Sequence, residues 1–184
     1  TMRDVDTPKQ TACEDVAALL GIGIDRTVKA IALVTTSGEF VLALLRGDHN
    51  LNEVKIAKLA GMSDFRFASD EEIRSTLSCP PGFIGPVGVK ADIRVMSDLT
   101  VAAMSDFVCG ANKPKFHLAG VNFGRDLPEP AIVADIRNVV SGDACPDGQG
   151  GVLELCRGIE VGHIFQLRTK YSEAMNCVFV TEQN

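Results

Sequence analysis

The chain has 184 residues, of which 46% are hydrophobic and 23% charged, and its formal net charge is −6 at pH 7. A chain of this length and hydrophobicity can bury a core of its own, which excludes an intrinsically disordered tail. The acidic balance, the absence of Trp and the single Tyr argue against a domain that holds nucleic acid by many phosphate contacts or by base stacking. We therefore expect no DNA partner, and contact with the end only of any RNA partner.

The six cysteines contain no CxxC pair, which argues against a zinc ribbon, and we expect no metal ion and no cofactor. The sequence shows no signal peptide and no long apolar run, so we expect a cytoplasmic protein with reduced thiols and no membrane partner. We expect a single domain over residues 1–184, excised from a longer protein.

Local patterns predict five elements in the first 77 residues. Capping-box sequences begin at Thr11 and at Ser69, and Gly21 follows the first apolar run. The stretch TTSGE separates two runs rich in β-branched residues, as in a hairpin. The predicted elements are a helix over 12–20, strands over 27–34 and 40–45, and helices over 52–60 and 69–77.

The second half is predicted to contain short strands, a short helix and two loops. CPPGFIGPVG, at residues 79–88, contains too many glycines and prolines for regular structure. Alternation predicts strands over 116–123 and 158–167. A short strand is also expected over 93–96, a helix over 131–140 and a loop over 141–151, and the last strands are expected to begin at 152–155. Short strands with helices between them indicate an α+β fold with a mixed sheet.

Five segments, in order, resemble one known family. They are RGDHNLNEVKIAKLAG, GFIGPVG, TVAAMSDFVCGAN, ADIRNVVSGDACPDGQG and RGIEVGHIFQL. They resemble the editing insertion of bacterial-type prolyl-tRNA synthetase, within the aminoacyl-tRNA deacylase superfamily. The resemblance implies an α+β fold with a mixed, strongly curved, barrel-like sheet and surrounding helices. It places the editing core at about residues 8–167 and a return segment toward the synthetase catalytic core at 168–184.

The resemblance implies hydrolysis of alanine wrongly attached to tRNA(Pro), in which the partners are the 3′ aminoacyl end of that tRNA and the remainder of the synthetase. GxSxG and HExxH motifs are absent. This fits a labile ester, whose hydrolysis requires mainly a positioned water and donors for the developing oxyanion. The ATP-binding signatures of a class II synthetase are also missing, so the chain itself is not expected to charge tRNA.

The resemblance also implies roles for particular residues. The expected catalytic residues are Lys55, Asp143 and Gly110, and the expected substrate-binding residues are Gly82, Gly85, Pro86 and His163. Lys55 would grip the phosphate beside the terminal adenosine. Asp143 would meet the substrate amine or hold its loop, and His163 would limit the size of the amino acid.

Other interpretations of these residues remain open. Lys55 also suits a solvated helix face, the glycines suit ordinary turns, and a lone strand histidine is more often structural than catalytic. Asp143 begins a near match to a calcium loop, but Cys145 and Pro146 occupy its third and fourth positions, which argues against calcium. The alternative functions are a free-standing trans-editing deacylase, an inert structural insertion and a calcium-binding module. His49 is expected to anchor its loop only.

Overall fold

The computed structural model describes residues 1–179. The chain divides into two compact units, one of residues Thr1–Val140 and one that begins at Ser141. Most of the regular structure lies in the first unit. A single editing domain with its boundary at residue 167 stays a prediction.

The first unit contains eight strands, four α-helices and one short 3₁₀ helix. The strands are β1 (Arg3–Asp6), β2 (Val28–Thr35), β3 (Phe40–Arg46), β4 (Phe65–Phe67), β5 (Arg94–Asp98), β6 (Phe107–Gly110), β7 (Phe116–Val121) and β8 (Ile132–Ala134). The helices are α1 (Cys13–Leu20), α2 (Glu53–Ile56), α3 (Asp70–Leu77) and α4 (Leu99–Ala102), and the 3₁₀ helix spans Ile24–Arg26. The second unit contributes α5 (Lys170–Ala174).

The strands form two sheets. One has three antiparallel strands in the order β1-β7-β6, and the other has five strands in the order β4-β2-β3-β5-β8. In the larger sheet β3, β5 and β8 run parallel, while β2 is antiparallel to both of its neighbours. A parallel bridge between Thr27 and Val108 links the two sheets. The fold is therefore mixed α+β as predicted, but no closed barrel is found in residues 1–179, so the barrel-like shape is not confirmed.

Strand β3 forms the centre of the core because both of its faces are covered. Val41, Ala43 and Leu45 point to one hydrophobic cluster, which includes Ile56, Met62 and Met96. Leu42 and Leu44 point to the other side, where they join two further clusters. All five β3 residues from 41 to 45 are fully buried, as expected for a central strand with two packed faces.

Several predicted elements are confirmed. Helix α1 ends at Gly21, whose φ of 65° is left-handed, and β2 and β3 form the expected hairpin. Ser69 and Glu72 form the capping box of α3. Strand β7 lies within the range predicted over 116–123, and β5 overlaps the range predicted over 93–96 but extends to Asp98.

Other predicted elements are wrong. Residues 131–140 form no helix, because Ile132 and its neighbours instead pair with β5 as strand β8. The helix predicted over 52–60 lasts only from Glu53 to Ile56. Thr11 does not cap α1, whose N-cap is Ala12 with no side-chain hydrogen bond.

The strands predicted near the end of the chain are also wrong. Residues 152–155 contribute only a single bridge, between Ala144 and Val152. Residues 158–167 have no regular structure. The side chains of Ile159, Val161 and Ile164 are 91%, 99% and 97% exposed. Alternation alone therefore did not produce a strand, since no neighbouring strand pairs with this segment in the described part of the chain.

Truncating β3 should cost much of the stability of the first unit. Leu44→Ala removes a fully buried side chain and should lower the free energy of unfolding by about 2–5 kcal/mol. Leu19→Ala, at a half-exposed position on α1, is the matched control and should change it by less than about 0.5 kcal/mol. Urea unfolding measures both, and equal effects would contradict a core centred on β3.

Candidate functional site

A cavity of about 290 Å³ lies where α1, β2, β6 and β7 meet the loop that follows α3. Its lining is mostly apolar, with a few polar side chains. This is the usual composition of a site for a small ligand, in which the polar groups set orientation. The residues that line it are Thr11, Cys13, Val16, Thr27, Val28, Lys29, Ala30, Ile31, Ala32, Phe67, Ala68, Ile73, Pro81, Gly82, Ile84, Val108, Gly110 and His117.

Lys29 brings a positive charge to this cavity. It lies on β2, opposite Leu45 of β3, and is half-buried. Its Nζ donates a hydrogen bond of 3.0 Å to the carbonyl oxygen of Gly47. The residue interrupts an otherwise apolar run, VKAIALV, and this is the signal by which the sequence could have revealed it.

His117 places a buried imidazole on the same cavity. Its Nδ1 lies 2.7 Å from the hydroxyl oxygen of the fully buried Thr7, and its ring lies 5.7 Å from that of Phe83. Burial lowers the pKa of His117, so its ring is mainly neutral at pH 7. Its Nε2 has no hydrogen-bond partner within residues 1–179, and this nitrogen is therefore available to a ligand.

The glycine loop, residues 82–88, forms another wall of the cavity through Gly82 and Ile84. Gly82 has a φ of 90°, and a Cβ there would lie 2.7 Å from Cβ of Thr11. The amide N–H groups of Gly82 and Ile84 donate no hydrogen bond to any described residue. Free backbone amides beside a cavity are potential donors to a ligand oxygen.

The glycine loop lies directly against the end of β6. A Cβ on Gly85 would overlap the carbonyl oxygen of Gly110, and a Cβ on Gly110 would overlap the carbonyl oxygens of Phe83 and Ile84. Only glycine at both positions permits this approach. The structure thus brings together the predicted residues Gly82, Gly85 and Gly110. Pro86 lies farther along the loop, on a separate cavity.

Lys55 is not among the residues that line this cavity. Its Nζ forms an ion pair of 2.7 Å with Asp135 and donates a hydrogen bond of 2.9 Å to the carbonyl oxygen of Arg137. Its backbone amide is capped by the side chain of Asn52. The structure therefore ties Lys55 to the segment after β8, and its expected role in gripping phosphate stays a prediction.

The other two predicted residues, Asp143 and His163, belong to the second unit. The carbonyl oxygen of Asp143 accepts a hydrogen bond from the amide of Leu153. The imidazole of His163 is exposed, lies 2.6 Å from a carboxylate oxygen of Glu160 and stacks on Phe165 at 4.0 Å. His163 is therefore not in a buried strand, and its size-limiting role stays a prediction.

A buried polar network lies beside β5. Asp98 is 1% exposed and accepts hydrogen bonds from the amides of Thr100 and Ile136. His49 is equally buried, and its Nε2 lies 3.0 Å from Nη2 of Arg46. The network joins the RGDHN loop to β5 and to the segment after β8, which agrees with the anchoring part expected of His49.

In the described residues no group of three or more His, Cys, Asp or Glu side chains is arranged to hold a metal ion. The carboxylate of Asp147, a candidate ligand of the calcium-loop alternative, accepts a hydrogen bond from the amide of Gln149. The six cysteines are free thiols. No helix within residues 1–179 is long and apolar enough to cross a membrane.

Residues 7–127 match the family described as the aminoacyl-tRNA editing domain. The chain belongs to this family. It is 69% identical over 185 residues to the proline–tRNA ligase of Methylobacillus flagellatus, covering 98% of this chain and 32% of that protein. The proline–tRNA ligase of Thiobacillus denitrificans is 67% identical over 183 residues, with 98% and 31% covered. The chain thus spans about a third of the length of the curated relatives it matches.

Solved structures share the fold. The crystal structure of a hypothetical protein superposes with a TM-score of 0.64 at 25% identity and covers 75% of this chain and 92% of that chain. The structure of a proposed trans-editing enzyme for prolyl-tRNA synthetase superposes with a TM-score of 0.63 at 21% identity, covering 75% and 87%. The expected α+β fold and the family resemblance are both confirmed.

The buried histidines should make the editing domain less stable in mild acid. Burial lowers the pKa of His49 and of His117, so the unfolded chain takes up these protons first. The free energy of unfolding should therefore fall as pH drops below about 6.5, the usual pKa of histidine. His49→Gln should flatten this dependence in urea unfolding between about pH 8 and pH 5.5, a window above the usual pKa of carboxylates. An unchanged slope in the variant would contradict the assignment to His49.

Proposed function

We propose that this editing domain hydrolyses the ester of Ala-tRNA(Pro), as an insertion within a prolyl-tRNA synthetase. The observation that carries the proposal is the small cavity, which brings together Lys29, His117 and the free amides of the glycine loop. The editing family and the proline–tRNA ligase relatives support the reaction class. We propose alanine as the amino acid because it is smaller than proline, and a proline-activating site cannot strongly reject a smaller amino acid.

A proline-activating site cannot strongly reject a smaller amino acid. The missing apolar contact is worth only about 1–3 kcal/mol, which permits appreciable mischarging. A second site that admits alanine and excludes proline restores accuracy. A cavity of about 290 Å³ with apolar walls is suited to a small side chain beside part of the terminal nucleotide.

Lys29 is proposed to bind a phosphate of the tRNA end. An ammonium group is a compact, mobile point charge that suits phosphate. The net charge of −6 repels RNA overall, so a cation on the cavity wall contributes disproportionately to holding the 3′ end there. The proposal gives Lys29 the phosphate contact that the family resemblance implied for Lys55, which is paired with Asp135, so parallel tests of the two lysines decide between them.

The glycine loop is proposed to stabilise the oxyanion. Water attacks the ester carbonyl carbon, the carbonyl oxygen gains negative charge, and the ribose oxygen leaves with a proton. The unpaired amides of Gly82 and Ile84 would donate to that oxygen without reorganisation, which is the usual source of a large catalytic effect. No side-chain nucleophile is needed for this route.

His117 is proposed to limit the size of the amino acid. Its neutral ring is fixed by Thr7 through Nδ1, which leaves Nε2 to hydrogen-bond to the ligand. A rigid ring on the wall of a small cavity excludes larger side chains more effectively than a mobile one. The family resemblance implied this role for His163, whose imidazole is exposed.

Replacing Lys29 should reduce editing strongly. In Lys29→Ala the loss of a charge contact with phosphate should lower the rate of Ala-tRNA(Pro) deacylation about 10- to 100-fold, since charged hydrogen bonds contribute about 1.5–3 kcal/mol. Lys55→Ala serves as the matched control, because its ammonium is already paired with Asp135. A larger loss in Lys55→Ala than in Lys29→Ala would contradict the assignment. Wild-type protein without activity above the spontaneous background would favour an inert insertion.

The proposed role of His117 and the expected role of His163 can be distinguished by the hydrolysis of Pro-tRNA(Pro) in two variants. His117→Ala should allow hydrolysis of Pro-tRNA(Pro), which the wild type should leave intact, because the cavity wall is removed. His163→Ala should leave Pro-tRNA(Pro) intact. The measurement is release of radiolabelled proline, and the opposite pattern would return the size limit to His163.

The remainder of the synthetase is proposed to cover residues 158–167. Ile159, Val161 and Ile164 are almost fully exposed, and exposed apolar side chains this close together mark an interaction surface. The relatives are about three times longer than this chain. Backbone amides of this segment should exchange hydrogen quickly in the isolated chain and slowly in a full-length relative, and equally fast exchange in both would refute the proposal.

A further inference from the structure

Asn112 connects the end of β6 to the glycine loop through its side-chain amide. Its Oδ1 accepts a hydrogen bond of 2.9 Å from the amide of Gly85. Its Nδ2 donates to the carbonyl oxygens of Gly85 and Val87, at 2.8 and 2.9 Å. Its backbone amide donates to the carbonyl oxygen of Phe83 at 2.9 Å. A single residue thus makes four hydrogen bonds to the loop.

These four bonds satisfy polar groups that would otherwise be unpaired. The loop has no regular secondary structure, so its amides and carbonyls need partners outside a ladder. Asn112 has a left-handed φ of 52°, a conformation that asparagine tolerates better than most residues. In this conformation the short side chain reaches the loop, while an amide supplies both the donor and the acceptor that are required.

The bonds engage some backbone groups of the loop and leave others free. Asn112 engages the amide of Gly85 and the carbonyl of Phe83, whereas the amides of Gly82 and Ile84 remain unpaired. The glycine contact between Gly85 and Gly110 brings the two backbones together, but that contact alone has no directional preference. The Asn112 hydrogen bonds are directional, so they fix the orientation of the loop relative to β6.

We propose that Asn112 is a positioning residue for hydrolysis: it fixes the glycine loop so that the unpaired amides face the substrate carbonyl. Asn112 itself is not among the residues that line the cavity, so it acts through the loop. The inference rests on the proposed function. Donors must lie within a few tenths of an ångström of their productive positions, and a misplacement of about 1 Å can cost about 100-fold in rate.

Two substitutions separate the side chain from the backbone conformation. Asn112→Gly keeps the left-handed φ without strain and removes three of the four bonds. Asn112→Asp keeps the shape and the acceptor for Gly85 but turns a carboxylate oxygen toward two carbonyl oxygens. Ser78→Gly is the matched control, because Ser78 has a φ of 55°, is exposed and caps α3. Circular dichroism shows whether each variant is folded, and Asn112→Asp carries the test if Asn112→Gly is unfolded.

The test combines kinetics with hydrogen exchange. Deacylation of Ala-tRNA(Pro) is measured over a range of protein concentration, which separates the maximal rate from the half-saturating concentration. In both Asn112 variants the maximal rate should fall about 10- to 100-fold, with little change in half-saturation. The amide of Gly85 should exchange faster in Asn112→Gly, and Ser78→Gly should match the wild type in both measurements.

The possible results are distinguishable. An unchanged maximal rate in Asn112→Gly with faster exchange at Gly85 would overturn the positioning role while leaving the proposed function intact. An effect on half-saturation alone would overturn it as well, since that result indicates lost binding. A wild-type chain that hydrolyses no Ala-tRNA(Pro) would overturn the proposed function and this inference with it.

Discussion

The site depends on the close approach of two backbones, at Gly85 in the glycine loop and at Gly110 at the end of β6. Neither position has space for a Cβ, since each would overlap a carbonyl oxygen of the other segment. This contact, together with the Asn112 hydrogen bonds, holds a loop without regular structure against a rigid strand. The position of the cavity wall and of the proposed oxyanion site depends on that contact and on these hydrogen bonds together.

The rigidity of the strands comes from the core on both sides of β3. Its buried residues join the clusters on the two faces of the larger sheet, and β2 pairs with it along its whole length. Lys29 is held on β2 and His117 on β7, so the two side chains of the proposed site that carry chemistry are placed by strands. Loops supply only backbone groups. A site built on regular elements in this way keeps its geometry better than one built on loops.

Much of the fold could be predicted from local patterns, because those patterns carry their own physical cause. The capping box at Ser69, the left-handed Gly21 and the hairpin between β2 and β3 each arise from a few neighbouring residues. The strand predicted over 158–167 is absent. A strand also needs a pairing partner, and the pattern of one segment cannot reveal whether that partner exists. The helix predicted over 131–140 is absent, because Ile132 pairs with β5 and belongs to a strand instead.

The residues of the site were only partly predictable, because they too come together through contacts between distant parts of the sequence. Gly82, Gly85 and Gly110 were predicted from the family resemblance, and the structure brings them together. Lys29 was not predicted: its charge interrupts an apolar strand, but the sequence does not show the cavity that it lines. Lys55 was chosen for its motif, but its charge partner, Asp135, lies 80 residues away in the sequence, and no local pattern shows such a pairing.

The central claim is that the aminoacyl end of the tRNA binds in the cavity between β2, β7 and the glycine loop. The most direct test is NMR titration of the labelled chain with a non-hydrolysable alanyl-adenosine analogue. The account predicts chemical-shift changes at Lys29, at residues 82–84, at Gly110 and at His117. Changes confined to the surroundings of Lys55, or to residues 141–167, would contradict it.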